Sequence, residues 1–192
     1  LERGKSTIFF SATLLPVNYY KNLLSSKKDN YAVYADSAFR EEQRLLFIGR
    51  DVSSLYTRRT LGEFHRIALY IQQVLRAKKG NYLIFFPSYR FMEDVYEQFL
   101  AVNEQEADCM MQSGNMNEAD REEFIQEFSN PRGKSLAAFC VLGGIFSEGI
   151  DLKEDLLIGV LIVGTGLPQI CNQREILKEY YDAKGEQGFD YA

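Results

Sequence analysis

The sequence predicts an α/β fold in which helices cover both faces of a mostly parallel sheet. Strand-like and helix-like runs alternate along most of the 192 residues, as they do where helices connect parallel strands. Several strand-like runs are almost continuously apolar, which is typical of strands buried on both faces. The length and the 46% hydrophobic content provide for one globular domain with its own core.

Six segments are predicted to be strands from their apolar runs and the turn residues around them. In chain order they are Ser6–Phe10, Arg44–Gly49, Tyr82–Phe86, Asp108–Gln112, Leu136–Leu142 and Leu156–Val163. A stretch rich in Tyr, Lys, Ser and Asn separates the first from the second. Because a lone strand cannot bury itself, we expect the first to join a sheet whose other strands lie upstream of this sequence.

Four helices are predicted between or after these strands, and they contain Phe64 to Leu75, Phe91 to Phe99, Asn117 to Phe128 and Gln173 to Tyr181. Gly80 follows the end of the first. Asn117 is a suitable N-cap for the third helix, and Asn130-Pro131 stops it.

The composition excludes several classes of protein. A formal net charge of −5 argues against a general polyanion binder, because non-specific phosphate affinity comes from clustered Lys and Arg. No apolar run is long enough for a membrane span and the first residues lack a secretory signal, so we expect a soluble, cytoplasmic protein with no membrane partner. Cys109, Cys140 and Cys171 form no CxxC pair, and we expect reduced core residues that bind no metal.

Residues that follow the strands are the first place to look for chemistry, because ligands of open α/β sheets bind beyond the carboxyl ends of the strands. Ser11 and Thr13 place two hydroxyls after the first strand. Pro87 ends the strand before it, and Ser88 is expected to cap the helix that carries Tyr89.

Of these three loops, the loop from Gly143 to Asp151 contains the most glycines and polar side chains. Its three glycines allow positive φ angles and a close approach of the backbone to a ligand. Ser147, Glu148 and Asp151 can bond ribose hydroxyls, water or an arginine of a partner lobe. This loop therefore suggests a nucleotide or phosphodiester site. Taken alone, each of the loops also fits an ordinary turn, cap or strand end.

Two segments look like the end of a phosphate-binding P-loop, whose pattern is G-x-x-x-x-G-K-[ST] leading into a helix. The leading glycine of Gly4-Lys5-Ser6-Thr7 would fall before the first residue, and Phe128 takes its place before Gly133-Lys134-Ser135. A strand is predicted after both segments. The sequence therefore predicts no P-loop of its own.

The loops follow the order of known helicase motifs. The first resembles helicase motif III, FFSATLLP, and the others resemble motifs IV and V of the XPD/DinG family of superfamily-2 DNA helicases, NYLIFFPSYRFMEDV and LGGIFSEGIDL. The resemblance covers nearly the whole chain, and FFPSY followed by SEGID is its specific part. It implies a RecA-like three-layer sandwich without its own P-loop, which forms the second motor lobe of an ATP-dependent DNA helicase.

The resemblance also implies roles for individual residues. In that family two RecA-like lobes close on ATP, and closure moves single-stranded DNA through a groove across both. ATP binding and coupling would fall to Ser11, Thr13, Glu148, Gly149 and Asp151, and contact with single-stranded DNA to Ser88, Tyr89 and Ser147. Small hydroxyls and backbone amides hold a phosphodiester chain without reading bases, and Tyr89 could stack on a base.

On this resemblance, residues 1–18 would be the last strand of the first lobe with motif III, 19–43 the linker, and 44–192 the second lobe, ending before motif VI. The groups that hold ATP and Mg²⁺ would lie upstream in the N-terminal lobe, the expected partner, so we expect the chain alone to be inactive. Any iron–sulphur cluster of the family belongs to that first lobe, and this sequence is silent on it. A basic residue that the family often carries in motif V is replaced by Ile145-Phe146.

Two alternatives stay open from the residues alone. A stand-alone flavodoxin-like domain would hold a phosphate in the Gly-rich loop, form a complete sheet and retain its ligand on purification. A non-catalytic nucleic-acid-binding module would lose affinity steeply with salt.

Overall fold

The computed structural model describes residues 5–11, 14–25, 30–37, 40–147, 149–166, 171–185 and 187–190. The chain divides into two compact units, residues 1–48 and 49–192. The described part of the first unit contains helix α1 (Val17–Leu24) and a 3₁₀ turn at Glu41–Gln43. Helix α1 was not expected from the sequence, because eight residues are too few to set a clear helical period.

The second unit contains the sheet and the remaining helices. Its elements are α2 (Leu61–Ala77), β1 (Asn81–Phe86), α3 (Tyr89–Asn103), β2 (Ala107–Met111), α4 (Glu118–Gln126), β3 (Ser135–Val141), β4 (Gly159–Ile162) and α5 (Asn172–Ala183). Short 3₁₀ turns lie at Tyr56–Arg58, Glu127–Ser129, Glu154–Leu156 and Gly188–Asp190. The four predicted helices are confirmed.

The sheet has the strand order β2-β3-β1-β4, and every neighbouring pair is parallel. Phe86 at the end of β1 lies opposite Val141 at the end of β3, so the two strands end in register. Both are buried at every residue, which explains their continuous apolar sequences. Since all strands run the same way, their carboxyl ends share one edge of the sheet.

Helices cover both faces of the sheet, which confirms the predicted α/β class. One apolar cluster joins alternate residues of β1 to α2 and α3 and includes Ile71, Ile84, Phe86, Phe91 and Phe99. The other joins the intervening residues of β1 to α4 and to the loop after β3, and includes Leu83, Phe85, Phe124 and Phe146. The alternation follows from the opposite directions of successive side chains in a strand.

Helix starts follow the expected capping chemistry. The hydroxyl of Thr60 accepts a hydrogen bond from the backbone N–H of Glu63 at the start of α2. Asn117 and Asp120 form a reciprocal capping box at the start of α4, which confirms Asn117 as its N-cap. Ser135, the last residue of the Gly-Lys-Ser segment, begins β3, so that segment does not have the P-loop arrangement.

Two of the six predicted strands are absent from the sheet of the described residues, Ser6–Phe10 and Arg44–Gly49. Their apolar side chains are exposed, with Phe10 at 91% and Ile48 at 79%. An apolar run becomes a strand only where a neighbour completes its hydrogen-bond ladder, and the described residues supply none. The predicted strand Leu156–Val163 begins later, at Gly159, because Glu154–Leu156 forms a 3₁₀ turn.

The cysteines differ from the prediction at one position. Cys140 is buried and Cys109 is partly buried, and burial raises the pKa of their thiols to about 12 and about 11. Cys171 is exposed and immediately precedes α5, so the prediction of a core residue is wrong there. Among the described residues, no helix combines the length and the apolar content that a membrane crossing requires.

Candidate functional site

The loop after β1 lies at the carboxyl edge of the sheet and starts α3. The backbone N–H of Phe91 donates to the Ser88 hydroxyl at 3.4 Å, so Ser88 is the N-cap of α3, as predicted. Tyr89 is partly buried against the apolar cluster of α2 and α3. Its hydroxyl accepts a hydrogen bond of 3.0 Å from the side chain of Gln112. This loop is therefore fixed mainly by its own helix.

The loop after β3, residues 142–151, begins as a tight turn at the same edge. The backbone N–H of Gly144 donates to the carbonyl of Val141 at 3.1 Å, and the Ser147 hydroxyl donates to the same carbonyl at 3.2 Å. Phe146 is 1% exposed and stacks on Phe124 of α4, with ring centroids 4.2 Å apart. Phe146 is therefore an apolar anchor for this loop.

Arg121 of α4 holds the middle of this loop by its backbone. The guanidinium donates to the carbonyl of Ile145 at 3.4 Å and to that of Gly149 at 3.2 Å. A further nitrogen pairs with Glu118 at 2.8 Å. Gly149 has a φ of 72°, a left-handed conformation that residues with a side chain adopt rarely. Arg121 therefore holds the loop at Ile145 and Gly149, while Gly149 itself stays exposed.

Asp151 follows at the surface, where its side chain is 78% exposed. The carboxylate lies 3.4 Å from the ammonium of Lys153. Exposed pairs of this kind contribute little free energy, so the carboxylate can exchange Lys153 for another cationic or hydroxyl partner. Ile150 and Leu152 on either side pack against the second apolar cluster, which turns Asp151 outward.

Gln112, which follows β2, connects Tyr89 to the last residue of β3, where the second loop begins, and was missed as a site residue by the sequence analysis. It is 2% exposed. Its side-chain oxygen accepts the backbone N–H of Val141 at 3.0 Å, while its side-chain nitrogen donates to the Tyr89 hydroxyl. The rule that directs attention to the ends of strands applies to Gln112 as well, because it ends the predicted strand Asp108–Gln112.

A second missed part of the edge lies beside the loop after β4. Ser54 approaches Gly164 so closely that a Cβ on the glycine would lie 2.5 Å from the serine hydroxyl. Arg59 donates to the Ser54 carbonyl at 3.2 Å and lies 4.2 Å above the ring of Phe91. The segment thus places the cation of Arg59 next to α3.

Glu63 anchors that segment from α2. Its buried carboxylate accepts hydrogen bonds from the backbone N–H of Ser53 and from Arg66. Burial opposes ionisation, but these bonds outweigh it and the pKa of the Glu63 carboxyl is lowered.

The predicted site residues fall into three groups. Ser88, Tyr89, Ser147, Gly149 and Asp151 lie in the two loops at the carboxyl edge of one sheet. Ser11 is exposed and belongs to the other compact unit. Thr13 and Glu148 lie outside the described residues. Within the described part of the chain, no group of His, Cys, Asp or Glu side chains is arranged to hold a metal ion.

Comparison of the chain with known proteins finds similarity to one helicase family and to proteins named as DNA helicases. Residues 71–192 match the family described as Helicase C-terminal domain. The chain is 27% identical over 187 residues to the ATP-dependent DNA helicase XPD of Sulfolobus acidocaldarius, covering 93% of this chain and 32% of that protein. It is 31% identical over 104 residues to the ATP-dependent DNA helicase CHL1 of Saccharomyces cerevisiae, covering 53% of this chain and 12% of that protein.

Solved structures agree in fold. An apo XPD chain matches 67% of this chain and 25% of its own length with a TM-score of 0.51 and 25% identity. A second XPD helicase chain matches 69% of this chain and 22% of its own length, with a TM-score of 0.53 and the same 25% identity. The parallel sheet is therefore the RecA-like fold of these structures, which confirms the predicted fold class.

Proposed function

Since the chain belongs to the family of helicase C-terminal domains, we propose that it is the second motor lobe of an ATP-dependent DNA helicase of the XPD/DinG type. The chain spans 32% of the length of its archaeal relative. On this proposal the activity would need a first lobe in addition to this chain. The observation that carries the proposal is the shared carboxyl edge of β1 and β3, which holds Ser88 and Tyr89 beside the loop of Ser147, Gly149 and Asp151.

The loop after β3 would serve the ATP cleft. The exposed backbone at Gly149 allows a close approach to a nucleotide, and the exposed carboxylate of Asp151 can accept from a ribose hydroxyl or from an arginine of the other lobe. Ser11, Thr13 and Glu148 would couple the nucleotide state to DNA contacts. Mg²⁺ would arrive with ATP and be held by the first lobe.

The loop after β1 would serve the DNA groove together with Ser147. Ser88, Tyr89 and Ser147 offer hydroxyls and the backbone around a helix start, which suit phosphodiester oxygens and carry no base specificity. Such contacts fit a motor that advances along any sequence, and the net charge of −5 on the chain argues against binding by bulk charge alone.

The test is Asp151→Asn in the full-length protein, with Asp155→Asn as the control. Asp155 is also an exposed carboxylate, but it lies in the 3₁₀ turn before β4, at the opposite edge of the sheet. We expect Asp151→Asn to lower the turnover number for ATP at least about tenfold, about 1.4 kcal/mol in the barrier, because a contact in the cleft is lost. Single-stranded DNA affinity and the control variant should keep wild-type values.

The isolated chain provides the complementary test. Without a first lobe it should neither hydrolyse ATP nor retain nucleotide through purification. Wild-type ATP turnover by the full-length Asp151→Asn variant would contradict the assignment of this loop to the cleft. Stoichiometric phosphate or nucleotide on the purified chain would favour the stand-alone phosphate-binding alternative.

A further inference from the structure

Gln112 is a buried amide that bonds Tyr89, the first residue of α3, through its nitrogen and Val141, the last residue of β3, through its oxygen. We propose that Gln112 is a positioning residue that directs the Tyr89 hydroxyl proton toward a phosphodiester oxygen of single-stranded DNA and ties Tyr89 to the end of β3, where the second loop begins. This inference rests on the proposed function, since it specifies how one residue of the DNA groove is oriented.

The direction of each hydrogen bond follows from the chemistry of the groups. The backbone N–H of Val141 can only donate, so the Gln112 atom 3.0 Å from it must be the amide oxygen. The amide nitrogen therefore faces Tyr89 and donates to its hydroxyl oxygen at 3.0 Å. The Tyr89 proton must point away from Gln112, and the hydrogen bonds among the described residues give it no acceptor.

Gly144 leaves the space that this arrangement needs. A Cβ on Gly144 would lie 2.9 Å from the amide nitrogen of Gln112 and 3.3 Å from its amide oxygen. Gly144 is not in the left-handed region, so its backbone conformation does not require glycine. The same Cβ would lie 3.0 Å from the carbonyl oxygen of Val141, so the close approaches of the Gln112 amide and of this carbonyl are together the physical reason for a glycine at this position.

The Tyr89 hydroxyl is the part of this side chain best suited to meet a ligand. Its ring packs partly against the apolar cluster of α2 and α3, which restricts the ring, while the hydroxyl lies at the edge between the loops. A neutral donor fixed in direction can bond a phosphate oxygen without selecting a base. Because Gln112 bonds Val141 at the start of the loop after β3 and lies against Gly144 of that loop, a shift of the loop would change the direction of this donor.

Three substitutions in the full-length protein test the inference by different means. Tyr89→Phe removes the donor and keeps the ring. Gln112→Glu keeps an acceptor for Val141, but its carboxylate must accept the Tyr89 proton and so turns it inward. Gly144→Ala keeps both side chains and adds a methyl group that crowds the Gln112 amide and the Val141 carbonyl, so it should shift the amide.

The readout is the dissociation constant for a fluorescent oligothymidine, measured by anisotropy at one fixed salt concentration. Tyr89→Phe should weaken binding about three- to tenfold, as expected for one neutral hydrogen bond. Gln112→Glu should have a similar effect, and Gly144→Ala a smaller one in the same direction. The double variant of Tyr89→Phe and Gln112→Glu should bind no more weakly than either single variant, because both remove the same contact.

Matched controls separate positioning from general damage. Gly133→Ala adds a Cβ with nothing within 4 Å, and Gln73→Glu adds the same charge at an exposed position of α2. Both should bind oligothymidine like the wild type. If the buried charge of Gln112→Glu prevents folding, the additivity of Tyr89→Phe with Gly144→Ala decides the question in the same way.

The outcomes distinguish this inference from the proposed function. A wild-type protein that does not bind oligothymidine would overturn the proposed function itself. Wild-type affinity in Tyr89→Phe, or fully additive losses in the double variant, would overturn the role of Gln112 and leave the helicase assignment intact.

Discussion

The loops after β1 and β3 end at the same edge of one sheet but are held by different means. The loop after β1 is only three residues long, including the start of α3. Ser88 holds this loop in place by capping α3. The loop after β3 runs for about ten residues, long for such a connection. Its anchors come from elsewhere in the chain: Phe124 and Arg121 of α4 hold the loop itself, and Gln112 after β2 bonds Val141, where the loop begins.

Because of this difference, we expect the loop after β1 to be rigid and the loop after β3 to be adjustable. A cap joins residues that are close in sequence, so it forms whenever α3 forms. The anchors of the longer loop depend on the packing of α4 and β2, so they can loosen together without loss of the sheet. We expect the loop after β3 to be the part that responds to nucleotide, and the loop after β1 to be the fixed reference.

The largest predicted effect is the loss of the apolar anchor of the longer loop. Phe146→Ala should lower the free energy of unfolding by about 3–5 kcal/mol, because a fully buried ring is replaced by a cavity beside Phe124. Urea denaturation of the chain measures it. Ile145→Ala, at a neighbouring residue that is 41% exposed, is the control and should stay within about 0.5 kcal/mol of the wild type.

Removal of the polar anchor should loosen the longer loop with a smaller loss of stability. Arg121→Ala leaves the carbonyls of Ile145 and Gly149 without their charged donor, which should cost about 1.5 kcal/mol. Amide hydrogen exchange should accelerate in residues 145–150 and not in β3. Glu118→Gln removes only the ion pair to Arg121 and should change stability by less than about 0.5 kcal/mol. Equal exchange rates in Arg121→Ala and the wild type would show that Arg121 does not hold this loop in place.

The loop after β1 should respond to a change in its cap alone. Ser88→Ala should lower the free energy of unfolding by about 1 kcal/mol, because the N–H of Phe91 loses its acceptor. Ser88→Asp keeps an acceptor at the helix start and should recover most of the loss. If both variants were equally destabilised, the cap would not be what holds this loop.

The smallest predicted effect concerns Ser147. Ser147→Ala should cost only about 0.5 kcal/mol of stability, because the Val141 carbonyl that its hydroxyl bonds also accepts from the N–H of Gly144. Thermal unfolding of the chain checks this value. A loss above about 1.5 kcal/mol would mean that Ser147 acts as a structural anchor comparable to Arg121.

The site could be located from the sequence only in part. Ser88, Tyr89, Ser147, Gly149 and Asp151 follow strands whose apolar runs were clear, so the rule for strand ends finds them. Arg121 could not be found in this way, because it lies on the polar side of an acidic helix and acts through backbone carbonyls of a distant loop. Gln112 also ends a predicted strand, but it belongs to none of the helicase motifs that the chain resembles.

The sequence by itself determined the four central strands, the helices between them and the caps that start those helices, because apolar period and capping are set by neighbours in the chain. Only the tertiary structure decided the strand order, the exposure of Cys171, and the failure of Ser6–Phe10 and Arg44–Gly49 to join the described sheet. The physical reason is that strand pairing, the burial of a thiol and the anchoring of a loop all depend on contacts with residues that are distant in sequence. No local sequence pattern specifies which of these contacts will form.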